Sequence, residues 1–210
     1  MNRRGRSAHQ VRIIGGQWRS RRLEFPDVPG LRPTPDRVRE TLFNWLAPVL
    51  PGARCLDLFA GSGALGMEAL SRSAAEVVFV EHHPLAVRTL QDNLARLQAV
   101  GARVEAAEAM AWLRQPGTPF EIVLLDPPFG EGLLEPVCAQ LEQGGWLMPN
   151  AWIYLEAAAD QPAPLLPAAW TLYREKVAGA VVYRLARRGS YYPSGSKEPV
   201  GEPEAPRSFF

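Results

Sequence analysis

The sequence predicts an α/β fold with a mostly parallel sheet, helices on both faces of that sheet, and a β-hairpin at the N-terminus. From residue 54 onward, short apolar runs alternate with segments of helical periodicity, which indicates successive right-handed βαβ units. Runs such as EVVFVE at 76–81 are apolar at nearly every position, as expected of parallel strands buried on both faces. A glycine-rich loop, GSGALG at 61–66, follows the first run.

The N-terminal elements precede this alternation. The stretch VRIIGGQWRSRRLEF at 11–25 is predicted to be a hairpin that turns at Gly15 and Gly16, since glycine accepts the positive φ of a tight turn. Thr34 and Pro35 suit the N-cap and the first position of a helix. Apolar residues then recur at helical spacing, so a helix should follow directly.

The remaining elements alternate as far as a closing hairpin, which adds antiparallel strands at one edge of the sheet. In order, we predict a strand at 54–59, a helix at 65–72, a strand at 76–81, a helix at 84–98, a strand and a short helix within 103–113, a strand at 120–126, a helix at 133–145, a strand at 152–157 and a hairpin at 170–187.

We divide the chain into three parts. Residues 1–33 form a basic N-terminal arm with the hairpin, residues 34–188 form the body, and residues 189–210 form a tail rich in Pro, Gly and Ser that is predicted to be disordered. If the arm is separable, removing residues 1–22 leaves a folded body.

Composition narrows the class of protein. The 210 residues are 47% hydrophobic and 21% charged, which is typical of a soluble globular protein. No apolar run approaches the ~20 residues that a membrane helix requires, and the basic N-terminus lacks the apolar segment of a secretion signal. Cys55 and Cys138 show no metal-ligand spacing. We therefore expect a cytoplasmic monomer with reduced thiols and without a metal site or membrane contact.

The charge distribution is uneven. Residues 1–40 hold ten Lys/Arg against four Asp/Glu, residues 41–170 hold six against fourteen, and residues 171–210 hold seven against four, for segment charges of +6, −8 and +3. An acidic body with basic ends suggests a polyanionic partner bound at those ends. The alternative is that short basic segments serve only solubility.

Acidic residues around the glycine loop identify its ligand. Gly61, Gly63 and Gly66 match G-x-G-x-x-G, a pattern that would also suit a nicotinamide-dependent oxidoreductase, because a ligand can approach bare backbone N–H groups there. Glu81 ends the next strand, where a carboxylate can bind a ribose diol. Asp57 ends the first strand, where it would repel a pyrophosphate and attract an ammonium group. S-adenosylmethionine has the ribose and the ammonium group and lacks a phosphate.

Other residues are predicted to complete the cofactor site. Glu108 can accept from the adenine amino group, or it can be an acid that stabilises a helix N-terminus. The alternative interpretation of Glu81 is a solvated acid at the end of a strand. His82 is expected to pack on the adenine as a wall of the site. The remaining candidates lie in the same loops: Phe59, Ser62 and Ala109.

The stretch DPPF at 126–129 is predicted to bind the methyl acceptor. Asp126 follows a buried strand at the sheet edge where ligands bind. Asp126 can accept one hydrogen of an exocyclic amino group, and a proline carbonyl can accept the other. Pro127 and Pro128 fix φ and hold these acceptors rigid, while Phe129 offers a ring on which a flipped-out base can stack. A rigid turn with a buried ring is the alternative.

These motifs carry a resemblance to a known family. DLFAGSGALGMEALSR with DPPF resembles the class I, S-adenosylmethionine-dependent amino-methyltransferases of nucleic acids. RIIGGQWRSRRL, GLRPTPDRVRETLFNWL and REKVAGAVVYRL are similar to the RsmD family of bacterial 16S ribosomal RNA guanine-N2 methyltransferases. The resemblance covers roughly residues 11–187. His82 and His83 stand where the family often has methionine and aspartate.

The resemblance implies a Rossmann-like, seven-stranded sheet and methyl transfer to a guanine of ribosomal RNA within a small-subunit particle. It also implies that Asp57 and Gly61 to Gly63 bind the cofactor, that Glu81 binds its ribose, and that residues 126–129 bind the target base. If the protein is an enzyme of another specificity, the alternative is methylation of adenine N6 or cytosine N4. If it is not an enzyme, the alternative is a non-catalytic RNA-binding protein of ribosome assembly.

The basic arm supplies the candidate RNA contacts. Arginines can pair with phosphate and stack on bases, and a tryptophan among them can stack on a base or pack the hairpin. The candidates are Arg12, Trp18, Arg19, Arg21 and Arg22.

Overall fold

A computed structural model describes residues 9–28, 31 and 33–189. The strands are β1 His9–Arg12, β2 Arg22–Phe25, β3 Arg54–Asp57, β4 Glu76–Glu81, β5 Ala102–Ala106, β6 Phe120–Leu125, β7 Leu147–Ala158, β8 Trp170–Ala178 and β9 Val181–Arg188. The helices are α1 Asp36–Leu46, α2 Ala64–Ser71, α3 Pro84–Arg96, α4 Ala109–Trp112 and α5 Leu134–Gln143. The predicted tail lies outside the described residues except for Gly189.

The main sheet has seven strands in the order β5-β4-β3-β6-β7-β9-β8. The pairs from β5 to β7 are parallel, and β9 pairs antiparallel with both β7 and β8. This confirms the predicted fold class. Because β3 lies between β4 and β6, the carboxyl ends of three parallel strands meet at one edge.

Helices bury both faces of the sheet. On one face, α1, α2 and α3 pack through apolar side chains that include Leu42, Leu65 and Leu90. On the other face, α4 and α5 pack through Trp112 and Leu141. Within the described residues, no helix is both long and apolar enough to cross a membrane.

The N-terminal hairpin is present, but its predicted turn is wrong. The strands β1 and β2 pair antiparallel, and the connection between them runs from residue 13 to 21 rather than turning tightly at the glycine pair. Gly16 has a φ of +74°, and a Cβ there would lie 1.7 Å from the carbonyl oxygen of Ser71. Glycine at this position therefore lets the hairpin loop approach the end of α2.

A buried ion cluster ties this loop to the body. Both oxygens of Glu68 accept backbone hydrogen bonds at 2.8 Å, one from Ile14 and one from Gly15. The fully buried guanidinium of Arg39 lies 3.5 Å from Glu68, and Arg72 donates to the same carboxylate at 2.7 Å. Hydrogen bonds and ion pairs of buried charged residues on α1 and α2 therefore fix the hairpin loop of the arm to the body.

The arm also shares the core of the body. Ile13 and Leu23 are buried in the same apolar cluster as α1, α2 and α3. Removing residues 1–22 would take Ile13 out of that cluster and leave Glu68 without two of its donors. This packing speaks against the expectation that such a deletion leaves the body intact.

The start of α1 corrects a second expectation. The N-cap position is occupied by Pro35, the first helical residue is Asp36, and no side chain caps the helix. Thr34 therefore lies one position too early to cap. Its buried hydroxyl instead donates a 3.1 Å hydrogen bond to Asp126. The closing hairpin is as predicted, with Gly179 in the turn between β8 and β9 at a φ of +60°.

Candidate active site

Three carboxylates lie along one edge of the sheet. Asp57 is the last residue of β3, Glu81 is the last residue of β4, and Asp126 directly follows β6. In the register of the sheet, Asp57 pairs with Phe79 on one side and with Leu124 on the other. The structure therefore brings together the three acids that the sequence placed at strand ends.

The glycine loop differs from a phosphate-binding loop in where its N–H groups point. The N–H of Gly61 donates to Glu81 Oε2 at 2.9 Å, and the N–H of Gly66 donates to Asp57 Oδ2 at 2.9 Å. These two donors are satisfied by carboxylates of the protein, so they are not the bare groups that the sequence suggested. A pyrophosphate would meet negative charge here in place of free donors.

Close packing explains the glycine at the end of the loop. Gly63 is the N-cap of α2 with a φ of +75°, and a Cβ on it would lie 2.4 Å from Cδ1 of Leu90. The loop can therefore lie directly on α3. Of the other predicted cofactor contacts, Ser62 is buried and Phe59 is half-buried beside it.

Asp57 is a buried acid that an approaching cation would stabilise. It is only 2% exposed. Burial raises the pKa of Asp57 to about 7, the hydrogen bond from Gly66 lowers it, and the charge of Glu81 raises it. No phosphate-binding geometry accounts for such a group, whereas the ammonium of S-adenosylmethionine would pair with its ionised form. The residues present fit the expected cofactor.

Glu81 organises the loop around it. Besides the bond from Gly61, it accepts a 2.7 Å hydrogen bond from the N–H of His83. Glu81 is 8% exposed, so it is not the solvated acid of the alternative interpretation. Each carboxylate oxygen has a second lone pair, which leaves acceptor capacity for a ribose diol. The side chain of His82 is 70% exposed beside it, consistent with a wall of an open site.

Glu108 has the capping role that was its alternative interpretation. It is the N-cap of α4, and its carboxylate accepts hydrogen bonds from the N–H groups of Met110 at 3.0 Å and Ala111 at 2.6 Å. Ala109 is buried behind it. An adenine contact by Glu108 or Ala109 stays a prediction.

The DPPF turn exposes its aromatic ring and keeps its carboxyl group half-buried. Asp126 is half-buried, Pro127 is buried and Pro128 is exposed. The ring of Phe129 is 44% exposed, which disagrees with a turn built only to bury an aromatic ring. The arrangement places a carboxylate beside an open aromatic face, on the edge that holds Asp57.

The chain matches one described family over most of its length. The family model described as Conserved hypothetical protein 95 matches residues 11–187. Ribosomal RNA small subunit methyltransferase D of Escherichia coli (strain K12) is 58% identical over 179 residues, covering 85% of this chain and 90% of that protein. The chain belongs to the RsmD family.

Further relatives agree with this membership. The Haemophilus influenzae protein of the same name is 46% identical over 180 residues, which cover 84% of this chain and 93% of that protein. The solved structure of yhhF from Escherichia coli has a TM-score of 0.81 and 54% identity, covering 87% of this chain and 100% of that one. As a methyltransferase of this family, the protein has S-adenosylmethionine as its cofactor.

In this RsmD family member, two polar residues that the sequence patterns did not single out lie close to the candidate site. Glu156 and Tyr154 lie on the same face of β7, and the Tyr154 hydroxyl donates to Glu156 Oε2 at 2.7 Å. Glu156 is 3% exposed, and its charge acts on Asp126. An acid inside the apolar run WIYLEA was the available signal, since an isolated carboxyl in a buried strand requires a partner.

The basic arm carries its arginines on the surface. Arg12, Arg19, Arg21 and Arg22 are all exposed. Trp18 is 9% exposed and packs in the main core, so the interpretation that it stacks on RNA is wrong. Its ring has too little free surface for a base, and it packs the hairpin instead.

A groove lies between the arm and the start of α1. It has a volume of about 420 Å³ and is lined by Gln10, Val11, Arg12, Arg22, Pro33, Thr34, Pro35 and Asp36. Because Thr34 also donates to Asp126, the groove ends next to the DPPF turn. Thr34 therefore connects a groove that two arginines of the arm line with the candidate acceptor site.

Proposed function

We propose that this protein transfers a methyl group from S-adenosylmethionine to the exocyclic N2 amino group of a guanine in small-subunit (16S) ribosomal RNA. The observation that carries the proposal is the half-buried Asp126 beside the exposed ring of Phe129, on the same sheet edge as Asp57 and Glu81. The relatives named as small subunit ribosomal RNA methyltransferases support the substrate class.

The cofactor would be held mainly by two carboxylates. Ionised Asp57 would pair with the ammonium group, and Glu81 would accept from the ribose hydroxyls with the lone pairs that the loop leaves unused. When bound, S-adenosylmethionine supplies an electrophilic methyl carbon, and its sulfur keeps the electron pair of the C–S bond. His82, Glu108 and Ala109 are proposed to flank the adenine.

The DPPF turn would prepare the amino group for attack. An exocyclic amine is a poor nucleophile, because its lone pair is delocalised into the ring of the base. Asp126 would accept one N–H and a proline carbonyl of the turn the other, so that the lone pair faces the methyl carbon. Phe129 would stack on the flipped base. Since Pro127 and Pro128 fix φ, this geometry exists before the RNA binds.

The arm would bind the RNA that flanks the target. Its exposed arginines can contact phosphates. The groove that Arg12 and Arg22 line also includes Thr34, which hydrogen-bonds the proposed acceptor clamp of residues 126–129. The acidic body would repel phosphates elsewhere. We propose a monomer acting in the cytoplasm on RNA within a small-subunit particle.

The competing functions differ in what they leave unexplained. An oxidoreductase would need loop N–H groups for its pyrophosphate, and two of these groups are bound to Glu81 and Asp57. A non-catalytic RNA-binding protein has no use for three acids on one sheet edge. Adenine or cytosine methylation would use the same clamp, so guanine rests on the family resemblance.

Tritium transfer tests the proposal. The protein is incubated with methyl-labelled S-adenosylmethionine and either naked 16S RNA or small-subunit particles that lack the modification, followed by nucleoside analysis. We expect label in N2-methylguanosine. Label in N6-methyladenosine or N4-methylcytidine would support the alternative enzymes, and no label in any nucleoside would contradict methyl transfer to RNA.

A further inference from the structure

Behind the DPPF turn lies a buried polar cluster that the proposed clamp does not use. Thr34 Oγ1 donates to Asp126 Oδ2 at 3.1 Å, and the same hydroxyl interacts with Glu156. Tyr154 donates to Glu156 Oε2 at 2.7 Å. Thr34, Tyr154 and Glu156 are all buried. Two carboxyls and two hydroxyls thus form one connected cluster that ends at the reacting edge of the sheet.

Two neighbouring carboxyls in such a setting favour holding one proton between them. Burial raises the pKa of Asp126 well above its ordinary value, and the charge of Glu156 raises it further, while Thr34 lowers it. Burial also raises the pKa of Glu156, while its hydrogen bonds with Tyr154 and Thr34 lower it. The other titratable groups that face the pair are Tyr154 on β7, Tyr183 on β9 and Asp57 on β3.

Exposure decides which carboxyl holds the proton. Asp126 is half-buried at the sheet edge, whereas Glu156 is buried beneath it. The raised pKa of Asp126 by itself would place the proton there. The difference in exposure opposes this, because a charge is less costly where water reaches it, and we therefore assign the charge to Asp126 and the proton to Glu156. The Thr34 hydroxyl can then donate to the charged Asp126 while it accepts from the protonated Glu156.

We propose that Glu156 and Thr34 are positioning residues for methyl transfer: Glu156 holds the shared proton, and Thr34 orients Asp126 as a carboxylate. Thr34 occupies Oδ2, and within the described part of the chain Oδ1 accepts no hydrogen bond. Oδ1 is therefore the oxygen that faces the amino group. This assignment deepens the proposed function and rests on it.

The arrangement also accounts for the proton that the reaction releases. The amino nitrogen forms the N–C bond with its lone pair, the C–S bond breaks with its electrons on sulfur, and the nitrogen becomes cationic. One N–H proton must then leave. Oδ1 of ionised Asp126 is placed to accept it, which a protonated Asp126 could not do.

Infrared difference spectroscopy tests where the proton lies without requiring activity. At pH 8, Asp57 is mostly ionised, since its pKa is about 7. We expect a protonated-carboxyl band in the wild-type protein and in Asp126→Asn, and its loss in Glu156→Gln. The Gln variant keeps an acceptor for Tyr154 and is expected to fold. A band that disappears in Asp126→Asn but survives in Glu156→Gln, or no band in the wild type, overturns the proposal.

Steady-state kinetics test the role of Thr34. Thr34→Val removes the hydroxyl at nearly constant volume, so kcat should fall by about tenfold or more, as for a lost hydrogen bond to a charged group. The KM for S-adenosylmethionine should stay within about twofold, since the Thr34 hydroxyl hydrogen-bonds Asp126 of the acceptor clamp rather than a carboxylate proposed to bind the cofactor. Thr34→Ser restores the hydroxyl and should restore kcat. Wild-type kcat in Thr34→Val overturns the positioning role.

The two levels of the proposal fail in different ways. If the wild-type protein methylates no amino group of RNA, the proposed function fails, and the infrared band still shows whether the carboxyls share a proton. If Asp126→Asn loses methyl transfer while Thr34→Val keeps it, the clamp stands and the role of Thr34 is wrong.

Discussion

At the scale of single residues, Asp126 is the group whose removal should separate chemistry from cofactor binding. Asp126→Ala takes away a preorganised acceptor of the target amino group, which should raise the barrier by at least ~3 kcal/mol. Binding of S-adenosylmethionine should stay within about tenfold, because Asp57 and Glu81 lie on other strands. Single-turnover rates measure the effect on methyl transfer, and calorimetry measures the effect on cofactor binding. Near-normal turnover would show that Asp126 does not hold the acceptor amino group.

Glu81 should show the opposite pattern. Glu81→Ala removes a charge-assisted acceptor, so S-adenosylmethionine should bind ~2–3 kcal/mol more weakly. Since Glu81 also accepts from Gly61 and His83, Glu81→Gln serves as the matched variant that keeps one acceptor oxygen. RNA affinity should not change in either. Unchanged cofactor affinity in Glu81→Ala would mean that this acid only orders the loop.

Asp57 should make cofactor binding depend on pH. Its pKa is about 7 in the folded protein and 3.8 as the ordinary value, so between these values the folded protein holds a proton that the unfolded chain has lost. The contribution of Asp57 to stability is therefore full below about pH 4 and falls as the pH rises toward 7.

Binding an ammonium group requires Asp57 in its ionised form. The affinity for S-adenosylmethionine should therefore rise by up to about tenfold per pH unit as the pH approaches 7 from below. Calorimetry between about pH 5.5 and 7.5 measures this dependence. An α-amino group has an ordinary pKa of about 7.7–8.0, so the ammonium group of the cofactor stays charged over that range. Asp57→Asn should flatten the dependence. An equally steep dependence in that variant would assign the titration to another group.

Sequence patterns located the acids at strand ends but could not locate their partners. Asp57, Glu81 and Asp126 follow apolar runs directly, and parallel strands must end at one edge. Capping preferences are local and favour Thr34 as a helix cap, whereas its contact with Asp126 spans 92 positions. Glu156 was hidden in a strand pattern for the same reason.

At the scale of elements, the buried cluster between α1, α2 and the hairpin loop should be the most sensitive point. Glu68→Ala removes the carboxylate beside Nη1 of the fully buried Arg39, whose Nη2 still pairs with Asp36 at 2.6 Å. It also takes the acceptor from the N–H groups of Ile14 and Gly15. Breaking this buried pair should cost about 3–5 kcal/mol of the free energy of unfolding. Urea denaturation measures the loss. Glu105→Ala is the control, because it breaks the more exposed pair with Arg103 and should cost no more than about 1 kcal/mol. Similar midpoints for the two variants would contradict this ranking.

Helix and strand types were predictable because the two periodicities differ along the chain. The hairpin turn was not, since Gly15 and Gly16 favour a tight turn in isolation, while the structure uses Gly16 for its approach to Ser71. The role of Glu68 was equally hidden, because a buried acid in the helix pattern GMEAL looks like any polar position until Arg39 is placed beside it.

At the scale of the whole molecule, the charge distribution predicts where RNA binds. Replacing Arg19, Arg21 and Arg22 together with alanine should weaken RNA binding and reduce the slope of log affinity against log salt by roughly two to three units, since each phosphate that the protein no longer neutralises lowers the slope by about 0.7–0.9. The measurement is RNA affinity across a salt series for wild type and variant.

A matched control uses arginines of the acidic body. Arg88, Arg103 and Arg114 are also exposed, so their triple alanine variant changes net charge equally. Its slope should equal that of the wild type. Equal slopes for all three proteins would mean that the arm does not bind phosphate, and equal losses of affinity in both variants would mean that total charge, rather than the position of the arginines, sets the affinity.

The inward-turned N–H groups of the glycine loop also bear on which cellular molecules can compete for the site. ATP shares the adenosine of the cofactor, yet its triphosphate would meet the carboxylates of Asp57 and Glu81, and the N–H groups of Gly61 and Gly66 are already bound to them. Repulsion between like charges then rejects the abundant nucleotide. The site would therefore select the methyl donor by the charge of its amino-acid end rather than by its adenosine.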